Sequence, residues 1–270
     1  MKHIHPARSR GVCDVLLGLN PENDLLILDI DSLIAAPSPD DSEQDDRLLA
    51  INALREANCR LQGAMLLVTG VGAADIESVF GQVPFAFAAG HGRALCGPGR
   101  EQELVSCPPM PEPARELLHQ YFDHVVGLDV HDDGVSFTVD ATRSPALGLF
   151  VLGVLNTVMP GLMATHFVMH RGRASTLLPR QLQMPEVMEK VVSLPSYTSR
   201  RICFIGDQFC DPQAIAAAHA MGGSGYILTP RTVAPNGIRL SNVNDLILEL
   251  TAFVHGASEP ELPEKRFARG

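Results

Sequence analysis

Two short apolar runs in this chain end directly in acidic residues. Residues 25–28 lead into the acidic pair Asp29 and Asp31, and residues 202–205 lead, after one glycine, into Asp207. Continuous apolar runs of this length are typical of strands that are covered on both faces, which occur mainly in parallel sheets. Because ligands of such sheets bind beyond the carboxyl ends of the strands, the pattern predicts a site at that edge.

A third run repeats this design with smaller polar groups. Residues 65–68 end in Thr69 and Gly70, which offer a hydroxyl and a backbone that a ligand can approach closely. Oxygen-bearing groups that converge at one sheet edge suit a hard cation such as Mg²⁺ together with a phosphate. A single acid after a strand is more often a loop residue or the N-cap of the next helix. The site hypothesis therefore rests on three strand ends rather than one.

Helical periodicity between these runs predicts crossover connections. The spacing of apolar residues predicts helices over residues 45–58 and 73–81, and residues 85–89 have the pattern of another strand. This βαβαβ alternation predicts the α/β class, with a Rossmann-like, doubly wound parallel sheet.

A proline cluster at residues 107–113 is interpreted as a domain boundary, since proline fits neither a helix interior nor a central strand. The Asp-Gly pair formed by Asp133 and Gly134 is a hairpin signal. After the cluster, the pattern predicts a helix at residues 114–122 and a hairpin of residues 125–130 and 135–139. A second helix at residues 146–158 and a strand at residues 165–169 follow. We therefore predict three parts of the chain. Residues 20–106 and 172–256 form a discontinuous core domain, and residues 107–171 form a smaller inserted α+β domain. Residues 1–19 and 257–270 are terminal extensions.

The acidic composition narrows the classes of partner. The 270 residues carry a formal net charge of −10 and the pI is near 5.4, which argues against nucleic-acid binding. The six cysteines lack paired metal-ligand spacing and are interpreted as reduced thiols. The apolar patch at residues 15–19 has no cleavage pattern, and no uninterrupted apolar run is long enough to span a membrane. We expect a soluble cytoplasmic protein.

Histidine and arginine side chains near these segments have two interpretations each. His91, His166 and His170 are residues of a type that ligates metals or moves protons, but no two of them share a helix face with a carboxylate, so structural roles are favoured. Arg171 and Arg173 are either solvated linker charges or cations that bind a phosphate.

The motifs, in this order, resemble those of the haloacid-dehalogenase superfamily of phosphatases, and within it the trehalose-6-phosphate phosphatases. Residues 29–33, Asp-Ile-Asp-Ser-Leu, stand where the family has Asp-x-Asp-Gly-Thr, and residues 69–71, Thr-Gly-Val, stand where it has Ser/Thr-Gly-Arg. Residues 206–211, Gly-Asp-Gln-Phe-Cys-Asp, correspond to the Gly-Asp-Asp-x-x-Asp motif, and residues 89–92 resemble the Gly-x-x-His-Gly segment of sugar phosphatases. Order and spacing agree better than residue identity. The resemblance extends over most of the chain, and it implies that the inserted domain is a cap that closes over the site.

The resemblance also implies a mechanism. Asp29 would attack the phosphorus to form an aspartyl phosphate, and Asp31 would act as general acid and then general base. The implied ligands are Asp29, Asp31, Asp207 and Asp211 for Mg²⁺, Thr69, Gly70 and Arg173 for the phosphate, and His91 and Gly92 for the rest of the substrate. The implied activity is magnesium-dependent hydrolysis of a small phosphorylated sugar in trehalose biosynthesis.

Several family positions carry other residues in this chain. Val71 stands where the second motif has arginine, and the lysine of the third motif has no counterpart, with Ser175 nearest to its position. These differences support an alternative hypothesis. The alternative is a catalytically silent protein of the same fold that binds a ligand or a partner enzyme.

Overall fold

The described part of the chain forms two β-sheets with helices packed on their faces. A computed structural model describes residues 11–29, 41–73, 76, 85–97, 100–171, 174–206, 212–229, 237–240 and 243–256. The strands are β1 (Asp24–Asp29), β2 (Met65–Val68), β3 (Phe87–Ala89), β4 (Ala94–Gly97), β5 (Arg100–Glu103), β6 (Asp129–Asp132), β7 (Phe137–Asp140), β8 (His166–Arg171), β9 (Ala174–Pro179), β10 (Arg201–Gly206), β11 (Ser224–Thr229) and β12 (Gly237–Arg239). The helices are α1 (Val12–Leu17), α2 (Asp41–Arg60), α3 (Glu112–Phe122), α4 (Gly148–Leu162), α5 (Met184–Ser193), α6 (Pro212–Ala220) and α7 (Val243–His255).

The larger sheet is built around β1. Its strand order is β12-β11-β10-β1-β2-β3-β4-β5, with parallel pairing from β12 to β3 and antiparallel pairing at β4 and β5. All six residues of β1 are buried, as expected for a central strand that is covered on both faces. These features confirm the predicted α/β class and the doubly wound sheet. The runs predicted as strands at residues 65–68 and 202–205 lie on either side of β1.

Helices cover both faces of the larger sheet because successive side chains of a strand point to opposite sides. Leu26 and Leu28 belong to one apolar cluster with residues of α1, α2 and α7. Leu25 and Ile27 belong to a second cluster with residues of α5 and α6. The alternation of β1 therefore divides the core of this sheet into two layers. The predicted helix over residues 73–81 lies mostly outside the described residues.

Helix α1 corrects the prediction that residues 1–19 are a terminal extension. Val12 and Leu16 are buried in the first apolar cluster, together with residues of α7. The Cys13 N–H also donates to Glu249 Oε2, on α7, at 2.8 Å. The sequence pattern obscured this helix because it has only six residues and Asp14 interrupts its apolar stretch. The core of the larger sheet therefore begins earlier in the chain than residue 20.

The smaller sheet is antiparallel and has the strand order β6-β7-β9-β8. Strands β6 and β7 form the hairpin that the Asp-Gly pair predicts, with Gly134 at a φ of 82°. Helices α3 and α4 cover one face, where Phe122, Phe137 and Leu155 are buried in a third apolar cluster. The hairpin pairs within this separate sheet and not with β1.

Strand β9 lies beyond the predicted end of the inserted domain at residue 171. Ala174–Pro179 pairs with both β7 and β8, so it occupies a central position in the smaller sheet. Its consecutive residues Leu177 and Leu178 face different apolar clusters, the first with α3 and α4 and the second with α5. The prediction ends the inserted domain with the strand at residues 165–169 and contains no strand at residues 174–179. The boundary at 171 is wrong for the sheet.

Residues Pro145–Leu162, which include α4, form a helix that is long and apolar enough to cross a membrane, with a mean hydropathy of 1.6. This is weak evidence for a span, since core helices pass the same test. The buried face of α4, with Val151, Val154 and Val158, packs within the third cluster. The expectation that no segment spans a membrane stays a prediction.

Candidate active site

Asp29 ends β1 at the carboxyl edge of the larger sheet. In the strand registers it is the partner of Gly206 on β10 and of Val68 on β2. The Asp29 residue is 3% exposed. A carboxylate at this depth loses most of its hydration, and this cost must be offset by hydrogen bonds or by a cation. The geometry therefore places one buried acid at the position where ligands of such sheets bind.

Thr69 follows β2 and stands directly beside the end of β1. It is 1% exposed, and its N–H donates to Ala88 O at 2.9 Å, which continues the β2–β3 ladder. Its Oγ1 accepts the Val71 N–H at 3.1 Å. That bond orients the side chain and leaves the hydroxyl hydrogen for a second partner. A small, oriented hydroxyl therefore lies one residue beyond the register partner of Asp29.

The segment Gly90–Gly92, which we call the site loop, folds back against the end of β2. The His91 N–H donates to Thr69 O at 2.7 Å, and the Gly90 N–H donates to Val71 O at 3.0 Å. His91 has φ 59° and ψ 26°, a left-handed conformation that is uncommon for a residue other than glycine. Strained backbone of this kind is concentrated at functional sites. These bonds fix the site loop to the turn that contains Thr69.

The imidazole of His91 lies over Gly70. A Cβ atom on Gly70 would stand 2.3 Å from His91 Cε1 and 2.7 Å from its Nε2. The prediction for Gly70 is the close approach of a phosphate to its backbone, whereas the space beside that backbone contains the histidine ring. The two residues predicted to bind different parts of a substrate are thus in direct contact.

Gly92 allows α5 to pack against the site loop. Its φ is 99°, and a Cβ atom would stand 2.6 Å from Val187 Cγ1 and 2.8 Å from Val187 Cγ2. Val187 is itself fully buried in the second apolar cluster. A larger residue at position 92 would therefore be both strained in its backbone and overpacked.

The architecture around this site matches solved structures of phosphatases. No protein-family model matches the sequence, and no curated protein is similar to it at a significant level. The C-terminal domain of Candida albicans trehalose-6-phosphate phosphatase aligns with a TM-score of 0.67 and 16% identity, covering 94% of this chain and all of that domain. The chain has the haloacid-dehalogenase fold.

Two further structures with similar folds have different names. The Synechocystis sucrose-phosphatase, solved with sucrose and phosphate, aligns with a TM-score of 0.51 and 14% identity, covering 86% of this chain and 98% of that one. The C-terminal domain of the Candida albicans trehalose synthase regulatory protein aligns with a TM-score of 0.58 and 11% identity, covering 87% of this chain and 95% of that one. The haloacid-dehalogenase fold therefore occurs in neighbours named as phosphatases and in one named as a regulator.

Five of the predicted site residues lie together at the carboxyl edge of the haloacid-dehalogenase core. They are Asp29, Thr69, Gly70, His91 and Gly92. The other four, Asp31, Arg173, Asp207 and Asp211, lie outside the described residues. Their roles stay predictions.

Ser175, which the motif comparison put nearest to the missing lysine, belongs to the smaller sheet. It lies on β9 within the smaller sheet, where its register partners are Val139 and His170. Ser175 Oγ and His170 Nδ1 are hydrogen-bonded at 2.9 Å.

His166 has the structural environment that the sequence analysis favoured for it. It is 1% exposed at the start of β8, and its Nδ1 is 2.8 Å from Thr165 Oγ1. Burial lowers the pKa of its imidazole below the ordinary value, so the neutral form is stabilised. This environment suits a core histidine of the smaller sheet.

The described residues fit a magnesium site only in part. Asp29 is a hard oxygen ligand at the predicted position, and a buried carboxylate is stabilised by a cation. No group of three metal-ligating side chains is present among the described residues, and three of the four predicted ligands lie outside them. Asp29 would hold Mg²⁺ together with Asp31, Asp207 and Asp211.

One ion pair near the site had no signal in the sequence. Arg93, the residue after the site loop, forms an ion pair with Asp133 at the tip of the β6–β7 hairpin, with Nη1 2.9 Å from Oδ2. The two residues are 40 positions apart, so no local periodicity links them. The pair connects the edge of the larger sheet to the smaller sheet.

Proposed function

We propose that this chain is a magnesium-dependent phosphatase of small phosphorylated sugars, with Asp29 as the nucleophile. The observation that carries the proposal is the position of Asp29, which is buried at the carboxyl end of β1 beside Thr69. The fold supports it, because similar structures are named as a trehalose-6-phosphate phosphatase and a sucrose-phosphatase. Hydrolysis of trehalose-6-phosphate in trehalose biosynthesis is the most specific form of this proposal.

The mechanism assigns a separate task to each of four predicted site residues. A carboxylate oxygen of Asp29 attacks the phosphorus, the sugar oxygen leaves, and water then hydrolyses the aspartyl phosphate. Thr69 donates its hydroxyl hydrogen to a phosphoryl oxygen, which stabilises the charge that develops there. His91, whose ring lies over Gly70 and whose N–H donates to Thr69 O, contacts the substrate. Asp31, the next acid along the chain, protonates the leaving oxygen and then deprotonates water.

Magnesium supplies positive charge that neutralises the anionic substrate when it is bound. Asp29 would be one ligand, and the acids at positions 31, 207 and 211 would complete the set. Arg173 would add a cation in place of the family's missing lysine. The burial of Asp29 supports this arrangement, since a buried carboxylate without positive charge is costly.

A second candidate function is a silent binding protein of the same fold. Val71 replaces the arginine of the second motif, and its N–H contacts Thr69 while its apolar side chain packs against the core of the larger sheet. One structure of similar fold is named as a regulatory protein. Such a protein would keep the site loop and bind a ligand or a partner without turnover.

Turnover is tested with a panel of sugar phosphates and an aryl phosphate in the presence of Mg²⁺. We expect the wild-type protein to hydrolyse at least one sugar phosphate and Asp29→Asn to reduce that rate by about three orders of magnitude or more, because the amide is a poor nucleophile. Thermal unfolding of the variant is the control for its folding. A folded Asp29→Asn variant with wild-type turnover would exclude Asp29 as the nucleophile.

Thermal unfolding also separates the two candidate functions without knowledge of the substrate. Ligands that bind the native state raise its melting temperature by mass action. We expect one increase with Mg²⁺ and a further increase with a beryllium fluoride complex, which mimics a phosphoryl group on Asp29. Both increases should be lost in Asp29→Asn. An increase with Mg²⁺ that the mimic does not extend would favour the silent binding protein.

A further inference from the structure

The residue after the site loop is fixed on both sides by its backbone. The Arg93 N–H donates to Gly90 O at 3.2 Å, and the Arg93 carbonyl accepts the N–H groups of Leu104 at 2.9 Å and Val105 at 3.1 Å. Arg93 is thereby tied to the loop that carries His91 and to the segment that leads toward the smaller sheet. A movement of either segment is transmitted to its side chain.

The partner of Arg93 is a carboxylate that the hairpin has already oriented. Asp133 Oδ1 accepts the N–H groups of Val135 at 2.9 Å and Ser136 at 2.6 Å, while Oδ2 faces the Arg93 guanidinium. Burial would raise the pKa of the Asp133 carboxyl, but these N–H groups and Arg93 hold it below the ordinary value. The carboxylate is therefore charged at neutral pH and needs no reorientation to form the ion pair.

The same hairpin tip also contacts the segment that enters the smaller sheet. The Met110 N–H donates to Gly134 O at 2.8 Å. Cys107, three residues earlier, is half-buried, and its Sγ–H donates to Val105 O at 3.7 Å, while the Val105 N–H donates to Arg93 O. Burial raises the pKa of its thiol, and the charges of Arg93 and Asp133 act on that pKa in opposite directions. The thiol is thus linked to the backbone of Arg93 through Val105.

We propose that Arg93 is a positioning residue: its ion pair with Asp133 holds the smaller sheet in place over the site loop, so that opening of the smaller sheet and placement of His91 are coupled. Arg93 and Asp133 side chains are 35% and 24% exposed. Ion pairs at such exposure change an equilibrium by only up to about fivefold. The contact is therefore a weak, salt-sensitive latch that breaks and forms readily. The effect of the latch on turnover rests on the proposed function, whereas the latch itself does not.

The first test measures alkylation of Cys107 by iodoacetamide, followed by peptide mass spectrometry. The variants are Arg93→Gln and Asp133→Asn, since the asparagine keeps the oxygen that accepts the two hairpin N–H groups. We expect each variant to be alkylated about three- to fivefold faster than the wild type and the double variant to be no faster than either single variant. High salt should raise the wild-type rate toward that of the variants.

The two single variants distinguish opening from a direct charge effect on the thiol. Loss of the Arg93 charge alone would slow alkylation and loss of the Asp133 charge alone would speed it, because a nearby cation favours the thiolate and a nearby anion disfavours it. Rates that move in opposite directions, or not at all, would overturn the latch. Arg143→Gln is the matched control, since its ion pair with Asp129 lies within the smaller sheet and both side chains are more than half exposed. We expect it to leave the Cys107 rate unchanged.

The second test uses any sugar phosphate that the wild-type protein hydrolyses. We expect both latch variants to raise KM by about three- to fivefold and to change kcat by less than about twofold, because the reacting groups are retained. Equal effects of the variants on kcat and none on KM would overturn the coupling to the site. If no substrate is hydrolysed, the proposed function fails while the alkylation rates still decide whether the latch exists.

Discussion

The site loop and the smaller sheet are stabilised by different kinds of contact. Around the site loop the contacts are steric, with the His91 ring against Gly70 and Val187 against Gly92. In the smaller sheet, two histidines have opposite electrostatic environments. Shape therefore decides which substitutions the site loop accepts, whereas protonation adds a pH-dependent part to the stability that the third apolar cluster gives the smaller sheet.

His119 and His166, two of the histidines of the smaller sheet and its helices, show how environment controls charge. His119 on α3 contacts Asp123 through Nδ1 and Asp132 through Nε2, each at 2.9 Å. These hydrogen bonds raise the pKa of its imidazole, with the bond to Asp123 the larger cause. Burial lowers the pKa of His166 instead. One histidine stabilises the fold when it is protonated and the other when it is neutral.

The largest expected effect comes from filling the space at Gly92. Gly92→Ala places a Cβ against the branched side chain of Val187 in a backbone conformation that disfavours it. We expect the free energy of unfolding to fall by about 2–4 kcal/mol, the sum of overpacking and backbone strain. Urea unfolding followed by circular dichroism measures the change.

A matched glycine separates the two causes. Gly63 has φ 78°, yet a Cβ there would meet nothing within 4 Å. Gly63→Ala should therefore lower the free energy of unfolding by only about 1 kcal/mol, from backbone strain alone. Equal losses in the two variants would refute the steric part of the comparison.

We expect an intermediate loss of the free energy of unfolding on acidification, caused by protonation of His166. Its folded pKa is lowered, so its contribution to stability is complete above its unfolded pKa, about 6.5, and is lost as the pH falls below that value toward the lowered pKa. The slope for one proton is at most about 1.4 kcal/mol per pH unit. We expect His166→Gln to lose less stability than the wild type between pH 7.5 and 5.5, as measured by urea unfolding. An unchanged pH dependence would show that His166 is not the group that is protonated.

The smallest expected change in the free energy of unfolding comes from His119, and its dependence on pH is opposite to that of His166. Its folded pKa is raised, so its contribution is complete below about pH 6.5 and is lost as the pH rises through the raised pKa. Because the side chain is more than a third exposed, the contribution is below about 1 kcal/mol. His119→Gln should destabilise the protein at pH 5.5 and leave it unchanged at pH 9. His124→Gln, at an exposed neighbour, is the control, and an equal effect there would remove the assignment to His119.

The core strands were predictable because their buried apolar residues are consecutive in the sequence. The runs at residues 65–68 and 202–205 correspond to Met65–Val68 and Arg201–Gly206, since a strand covered on both faces has no polar interruptions. The hairpin at Asp133 and Gly134 was predictable for a local reason, because the turn needs a glycine at positive φ.

The rest of the fold depends on contacts between distant parts of the chain. The sequence indicated Gly70 and His91 as site residues, but the ring over the glycine arises from the packing of β3 beside β2. The pair of Arg93 and Asp133 depends on where the two sheets meet. Strand β9 was not predicted, since the sequence alone does not reveal that Leu177 and Leu178 pack in different clusters. The pattern of apolar residues indicates which residues are buried but not which residues they pack against.

The central place of β9 has a consequence for the order of events during synthesis. In the smaller sheet, β9 lies between β7 and β8 and provides the hydrogen bonds that join them. The hairpin of β6 and β7 and the later strand β8 therefore cannot assemble into one sheet until the ribosome has added Pro179. By then Leu178 is present as well, and its side chain belongs to the apolar cluster that α5 completes. Assembly of the smaller sheet therefore depends on the strand that follows all its other strands and both its helices in the chain.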